Sequence, residues 1–223
     1  MKKIFIITAC AALLAACAKQ PDNMQNNSHS NTQSAVCKHA AKGKQPAISL
    51  QAQLVINNIM TRTSVRFFTD EPVCEACTET LLRAGMAAPT AVNKQPWCFV
   101  VVTDSVMRQR LSDDTGKAPA GRAPLLIVIA VDMERALEGE AQEYWVQDCS
   151  AAAENILLAA HGMGLGGVWL GYYPIMSRVE KLREILGMPE TVTPLGIMAI
   201  GHPAENPEPK DKWKPENVHY EKW

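Results

Sequence analysis

Four short stretches of the chain are apolar almost without a break: residues 97–102 (WCFVVV), 125–131 (LLIVIAV), 168–172 (VWLGY) and 195–200 (LGIMAI). The first reads as a strand buried on both faces. The others follow as the second, third and fourth strands of the same domain. Elsewhere apolar positions recur every three or four residues, the spacing of a helix face. Leu50, Leu54, Val55 and Ile59 make one such stripe. Leu81, Leu82, Met86 and Ala87 make another, which Pro89 stops. Val106, Arg110 and Leu111 suggest a short surface helix, followed by a Gly/Pro-punctuated loop over 116–124. The longest helical pattern, over 141–163, carries Trp145, Cys149, Ala152, Ile156, Ala159 and Met163. Its alanines at 151, 152, 153, 159 and 160 allow close packing, so it reads as a central core helix. Ser177 and Glu180 form a capping box that opens a last helix to Leu186, and Gly187 and Pro189 end it. No internal repeat interrupts this alternation, which predicts one α/β domain over 48–223.

The first 47 residues follow neither pattern. Lys2 and Lys3 precede an apolar run, residues 4–16, that is too short to span a bilayer. It ends in Leu14-Ala15-Ala16-Cys17, which looks like a bacterial lipobox. In that reading residues 1–16 are a lipoprotein signal peptide and Cys17 carries the lipid. The other reading is an ordinary secretory signal with a coincidental cysteine. Residues 17–47 are then the lipidated cysteine and a Gln/Asn/Ser-rich tether, too polar to bury a core and expected to be disordered. The expected location is the bacterial cell envelope, membrane-anchored, on the periplasmic or surface side.

Charge adds one exclusion. The chain is nearly neutral at −1, and loss of Lys2 and Lys3 with the leader moves it to about −3. No basic stripe argues for nucleic acid. The seven cysteines add a question. Cys10 leaves with the leader and Cys17 is lipidated; Cys37, Cys74, Cys77, Cys98 and Cys149 remain, an odd number. Cys74-x-x-Cys77 reads as a redox pair at a helix start, as a structural disulfide, or as two free thiols. No thioredoxin-like strand precedes it, and Glu71 and Glu75 lie close by. Cys98 and Cys149 sit in apolar segments and read as small core residues.

Candidate chemistry gathers at three places. Thr90, Asn93, Lys94 and Gln95 sit in a rigid Pro-containing loop before the first strand, a good place to hold a polar planar ligand. Arg62-Thr63-Ser64-Val65-Arg66 offers two arginines four apart with hydroxyls between them, a set able to hold an anionic group. Taken alone, that segment reads as a solvated loop with two exposed arginines. Gly162, Gly164, Gly166 and Gly167 follow a helix and precede a strand, the reverse of a dinucleotide-binding turn. His161 reads as a surface or capping residue. No metal site is expected. The polar, Pro-rich tail holds Trp213, Tyr220 and Trp223, which suggests that it packs on something.

RTSVRFF (62–68) with Pro72-Val73, and APTAVNKQPW (88–97), closely resemble the opening motif and signature loop of the nitroreductase family, the FMN-dependent NAD(P)H oxidoreductases. DCSAAAENILLAAHGMGLGG (148–167) resembles the family's dimer-core helix. The resemblance runs from about Ile48 to the C-terminus. It implies an α+β fold, a three-layer helix–sheet–helix sandwich, assembled as a tail-exchanging homodimer. It implies bound FMN, NADH or NADPH as electron donor, and a small electrophilic acceptor such as a nitroaromatic, quinone or flavin. Chemistry would reside on FMN, with no catalytic side chain. Carried over residue by residue, Arg62 and Ser64 would hold the phosphate and ribityl chain, Thr63 between them would also bind the cofactor, and Arg66 would approach the pyrimidine edge. Asn93 and Gln95 would contact the flavin. Pro89, Thr90 and Ala91 would cover the flavin bound mainly by the other subunit. Backbone groups of Leu170 and Gly171 would meet the hydride-accepting edge. Many relatives carry Glu-Gly there, so the side-chain role of that glutamate is lost here. Lys210 and Lys212 would bind the phosphate from a tail that crosses to the partner, so that only the dimer joins them to Arg62. Reductive dehalogenation or flavin fragmentation on the same fold is an alternative, although 113–124 is short for the substrate lid those relatives add. A lipid-anchored flavin binder without turnover is another.

Overall fold

A computed structural model describes residues 48–223. The leader, Cys17 and the tether lie outside the described residues. The four apolar runs form one sheet: β1 (Trp97–Val102), β2 (Leu125–Asp132), β3 (Gly166–Gly171) and β4 (Val192–Gly201). Their order is β1-β2-β4-β3, and every neighbouring pair is antiparallel. The described residues also form six α-helices: α1 (Leu50–Thr61), α2 (Glu75–Met86), α3 (Ser105–Thr115), α4 (Ala118–Arg122), α5 (Tyr144–Gly162) and α6 (Met176–Leu186).

The period of two along β2 and β4 sends side chains into two cores. Ile127, Ile129 and Val131 face one side with Met198 and Ile200, under Leu81 of α2 and Trp145, Cys149, Ala153 and Ile156 of α5. Leu126 and Val128 face the other with Ile197 and Ala199, under α3, α4 and α6. Leu195 departs from the parity of β4 and sits with Met198. A bulge opposite Ile129 and Ala130 inserts one residue and turns it over. The result is the expected α+β helix–sheet–helix sandwich.

Several local expectations change. β1 is an edge strand rather than one buried on both faces: Trp97 and Val102 are buried, but Val101 is 40% exposed. An unbroken apolar run looks the same in sequence whether both faces are covered or one lacks its cover. Region 116–124 contains the short helix α4. Pro119 lies in its first turn, where the missing N–H has no helical partner to lose. Arg108 of α3 fastens α4 by donating to the carbonyls of Gly121 and Ala123 at 3.3 and 2.6 Å. Ser177 caps nothing. The chain turns after β3 with Ile175 N–H on the Tyr172 carbonyl at 2.9 Å, and α6 has already begun at Met176. Residues 139–141 form a separate 3-10 turn ahead of α5.

α1 is helical as its stripe predicts, and Ser49 Oγ caps it by accepting from Ala52 N–H at 3.2 Å. Yet it buries none of its residues; Leu50 is 71% exposed and Leu54 62%. Residues 208–223 are likewise exposed, including Trp213, Tyr220 and Trp223. Among the described residues no helix is long and apolar enough to cross a membrane.

Candidate functional site

The site is built where the chain leaves α1. That helix end is tied to α5 by polar contacts. Asn58 donates to the Leu158 carbonyl at 3.0 Å, and Thr61 Oγ1 meets His161 Nε2 at 2.9 Å. Arg62 Nε pairs with Glu154 at 3.3 Å. His161 thus anchors α1 rather than capping its own helix. Backbone dihedrals then turn extended at Arg62. Ser64 bridges to Gly167 and Val65 N–H donates to the Gly167 carbonyl at 3.0 Å, so the motif lies against the start of β3. This close approach needs glycine at 166: a Cβ there would stand 2.7 Å from the Val65 side chain.

The same segment is clasped on its other side by the root of the tail. Thr69 N–H donates to the His202 carbonyl, and Ala204 N–H to the Phe67 carbonyl, each at 2.9 Å. Phe68 bridges to Pro203. Glu205 Oε1 accepts both the Arg66 and Phe67 N–H groups, at 2.5 and 3.2 Å. Thr63 Oγ1 donates to the Pro207 carbonyl at 3.4 Å. The tail root therefore sits on the arginine motif of its own chain. Whether Lys210 and Lys212 meet the Arg62 of their own chain or of a partner depends on the course of the exposed tail beyond Pro207. From Pro207 the chain reaches Lys210 in three residues, a span of at most about 10 Å. Both lysines are exposed, and Arg122 of α4 stacks over Phe67 with its Cζ 4.6 Å from the ring centroid.

Beyond the Ser64–Gly167 bridge, β3 has no strand on its outer side among the described residues. In an antiparallel ladder, successive residues point their backbone groups to opposite edges. The Gly167 carbonyl faces the motif, so the backbone groups of Trp169 and Gly171 face the open edge and those of Leu170 face β4. Gly171, and not Leu170, therefore has its N–H on the open edge. A Cβ built on Gly171 meets nothing within 4 Å, so the space beside it is open. The arrangement can hold an extended ligand. An anionic end would meet Arg62, Ser64 and the tail lysines, and a planar end with acceptors would lie along β3.

The signature loop does not join this group within one chain. It opens β1, three strands from β3, or about 14 Å at the usual spacing. Its shape is nonetheless tightly fixed. Asp148 of α5, only 6% exposed, accepts the Ala91 N–H at 2.8 Å. Thr90 Oγ1 accepts the Gln95 N–H at 3.1 Å, Gln95 Nε2 donates to Asn93 Oδ1 at 3.1 Å, and Arg135 donates to the Gln95 carbonyl. Val92, Asn93 and Gln95 all have positive φ (52°, 55° and 51°). A β-branched residue there is strained, and such strain concentrates at functional loops. Pro89 is exposed and Thr90 and Ala91 half-buried. Sequence reasoning missed Asp148 and Glu205, because one is hidden in a helix stripe and the other in a polar tail. An acid at the core-face spacing of Trp145, Cys149 and Ala152 was the available signal for Asp148.

Cys74 and Cys77 are joined in a disulfide. Cys149 is buried, with its Sγ 3.6 Å from the Ala130 carbonyl, and Cys98 is half-buried.

Comparison with known proteins gives the same picture. The model of the nitroreductase family matches residues 59–119 and 113–202. A Methanothermobacter thermautotrophicus protein provisionally named NADH dehydrogenase/NAD(P)H nitroreductase is 41% identical over 170 residues, 76% of this chain and 87% of that protein. The NADPH:FMN oxidoreductase of Vibrio harveyi, solved with NAD+, superposes with a TM-score of 0.69 at 32% identity, covering 76% of this chain and 78% of that one. A provisionally named nitroreductase of Desulfovibrio desulfuricans, solved with FMN, gives 0.67 at 31% identity over 76% of this chain and 97% of that one. The chain belongs to the nitroreductase family.

Proposed function

We propose that the protein is an FMN-dependent oxidoreductase that uses NADH or NADPH to reduce a small electrophile, a nitroaromatic, quinone or flavin. The observation that carries this reading is the open edge of β3 lying beside a clasped arginine motif. The relatives solved with FMN and with NAD+ support it. FMN, when bound, supplies the hydride chemistry. The chain's own groups bind and orient. Arg62 and Ser64, with Lys210 and Lys212, are the donor set for a phosphate near charge −2. Arg62 is 19% exposed, and its Nε is already paired with Glu154. The ion pair fixes the guanidinium so that less freedom is lost when its Nη groups bind. Thr63 holds the tail root, and Arg66 stands at the pyrimidine side. Gly171 presents an N–H without crowding.

The complete site is composite. In a homodimer, Pro89, Thr90, Ala91, Asn93 and Gln95 of one subunit would close over the β3 edge of the other, from which a single chain keeps them distant. α1 and the tail beyond Pro207 supply the apolar surface for that association. The tail's exposed, aromatic end is the part that would pack against the free edge of β1 in the partner. The lipobox at Cys17 adds a membrane anchor to this reading, with the enzyme presented in the cell envelope. Intact mass of the N-terminal peptide, with Cys17→Ser as control, tests the anchor.

Purified protein should be yellow, and heating should release FMN into the supernatant, identified by mass spectrometry. Stopped-flow mixing with NADH and with NADPH should bleach the flavin band. FAD in the supernatant, or a flavin that stays with the precipitate, would overturn the cofactor assignment. A flavin that neither nucleotide bleaches would leave a binder and remove the donor assignment.

A further inference from the structure

Neither the β3 edge nor the clasp makes use of Cys74 and Cys77. We propose that this pair is a thiol–disulfide exchange site, which accepts two electrons from a dithiol protein or small dithiol independently of the flavin site. Cys74 is the N-cap of α2 and is exposed, whereas Cys77 is half-buried one turn inside the helix. The Cys74 sulfur is therefore the one open to an incoming thiolate. Its Sγ accepts the Cys77 N–H at 3.0 Å. The unpaired N–H groups of a 12-residue helix converge there, and such a position stabilises a thiolate.

The bridge has little to do as a staple. Its cysteines are three apart in sequence, the first helical turn already holds them together, and so short a loop removes little freedom from the unfolded chain. Two carboxylates oppose a thiolate at this point. Glu71 leans toward His202, 3.7 Å from Nε2, and Glu75 lies in the first turn. The free cysteines among the described residues are poor competitors, since burial pushes the thiols of both Cys98 and Cys149 up.

Exchange runs in two steps. A thiolate of the incoming dithiol attacks Cys74 Sγ. The Cys74–Cys77 bond breaks and its electron pair leaves on Cys77, which takes up a proton. The second thiol of the dithiol, losing its proton, attacks its own sulfur in the mixed disulfide and releases the Cys74 thiolate to the Cys77 N–H. The dithiol departs as a disulfide, and two electrons have passed to the cysteine pair.

The test uses the full chain with its flavin under native conditions. Graded dithiothreitol followed by iodoacetamide and peptide mapping should show both Cys74 and Cys77 alkylated. This should occur at concentrations that leave circular dichroism and flavin content unchanged. Treated with glutathione disulfide, reduced Cys77→Ser should trap a mixed disulfide on Cys74. Cys74→Ser should trap one on Cys77 at least about tenfold more slowly. A wild-type pair that resists alkylation until denaturant is added is a staple, and the proposal fails. Faster trapping on Cys77 overturns it equally. Should either variant not fold, the wild-type titration alone decides.

Discussion

Among the described residues the sheet has two free edges, and they are unlike. The edge of β3 is closed at its start by Ser64 and Val65 and open from Trp169 to Gly171. Around it stand Arg62, Ser64, Arg66 and a tail root that leads to two lysines. The edge of β1 is open along its whole length among the described residues, and it borders a largely apolar groove lined by Leu82, Met86, Trp97, Phe99 and Val101, with Gln95 and Arg135 at its polar side. Exposed apolar edges invite pairing with another chain. One edge is thus dressed for an anionic, planar small molecule and the other for polypeptide. The tail connects the two needs: its root serves the first edge in its own chain, and its exposed aromatic end is free to serve the second in a partner.

Removal of the tail after Pro207 should break both functions at once and have the largest effect. The clasp through Glu205 would survive, but Lys210, Lys212 and the aromatic end would go. Two charge-assisted hydrogen bonds at about 1.5–3 kcal/mol each correspond to about 10²- to 10⁴-fold weaker FMN binding. Light scattering on the intact form should give twice the chain mass, and on the truncated form the mass of one chain or of aggregate. A truncated protein that remains a flavin-loaded dimer would show that neither edge depends on the tail.

Arg62→Ala sharpens the first edge alone. It should weaken FMN binding by about 10- to 150-fold, the range for one charge-assisted hydrogen bond. Riboflavin lacks the phosphate, so its affinity should barely respond. Glu154→Gln retains Arg62 but loosens its grip on α5, and should cost FMN less than threefold, or about 0.6 kcal/mol. Titration of both flavins into apoprotein measures all three. Equal losses for FMN and riboflavin would mean that Arg62 supports the fold or the ring.

Much of this contrast was legible beforehand, and its limits are physical. The four runs gave four strands because length and β-branching report strand formation directly. RTSVR and APTAVNKQPW marked the polar loops because arginine, hydroxyl and amide side chains stand out against apolar surroundings. Pairing order left no local trace, so β1 read as a central strand although it is an edge. Ser177-x-x-Glu180 had the composition of a capping box, but Ile175 and Met176 had already set the helix start. Asp148 acts through one backbone N–H, 57 residues away, and Glu205 through two, 138 and 139 residues away. No spacing rule connects positions so distant.

Glu205→Ala tests whether the clasp positions the tail. It leaves the Arg66 and Phe67 N–H groups to water, and each lost bond contributes about 0.5–1.5 kcal/mol. Because the site is partly exposed, FMN binding should weaken by about 2- to 10-fold. Limited proteolysis should cut the tail beyond residue 205 faster. Glu205→Gln keeps an acceptor at the same place and should restore most of both. A merely surface role for Glu205 would leave the proteolysis pattern unmoved.

The smallest effect is expected away from both edges. The Cys74–Cys77 bridge starts α2, on the side where Glu71 reaches His202. Among the described residues no hydrogen bond or ion pair links it to Arg62, Gly171 or β1. Hydride transfer to a flavin requires no dithiol, so the double variant Cys74→Ser with Cys77→Ser should reduce FMN with NADH or NADPH within about twofold of wild type, or 0.4 kcal/mol in barrier. Stability should fall by about 2 kcal/mol at most, the chain-entropy value for so short a loop. Serine retains the N-cap acceptor that Cys74 Sγ supplies to Cys77 N–H, which moderates even that loss. Thermal denaturation and stopped-flow bleaching on the same sample separate the two quantities. If turnover falls more than tenfold while flavin content and melting temperature hold, electrons reach the flavin through the thiols, and the exchange site and the β3 edge would have to be treated as one electron-transfer path.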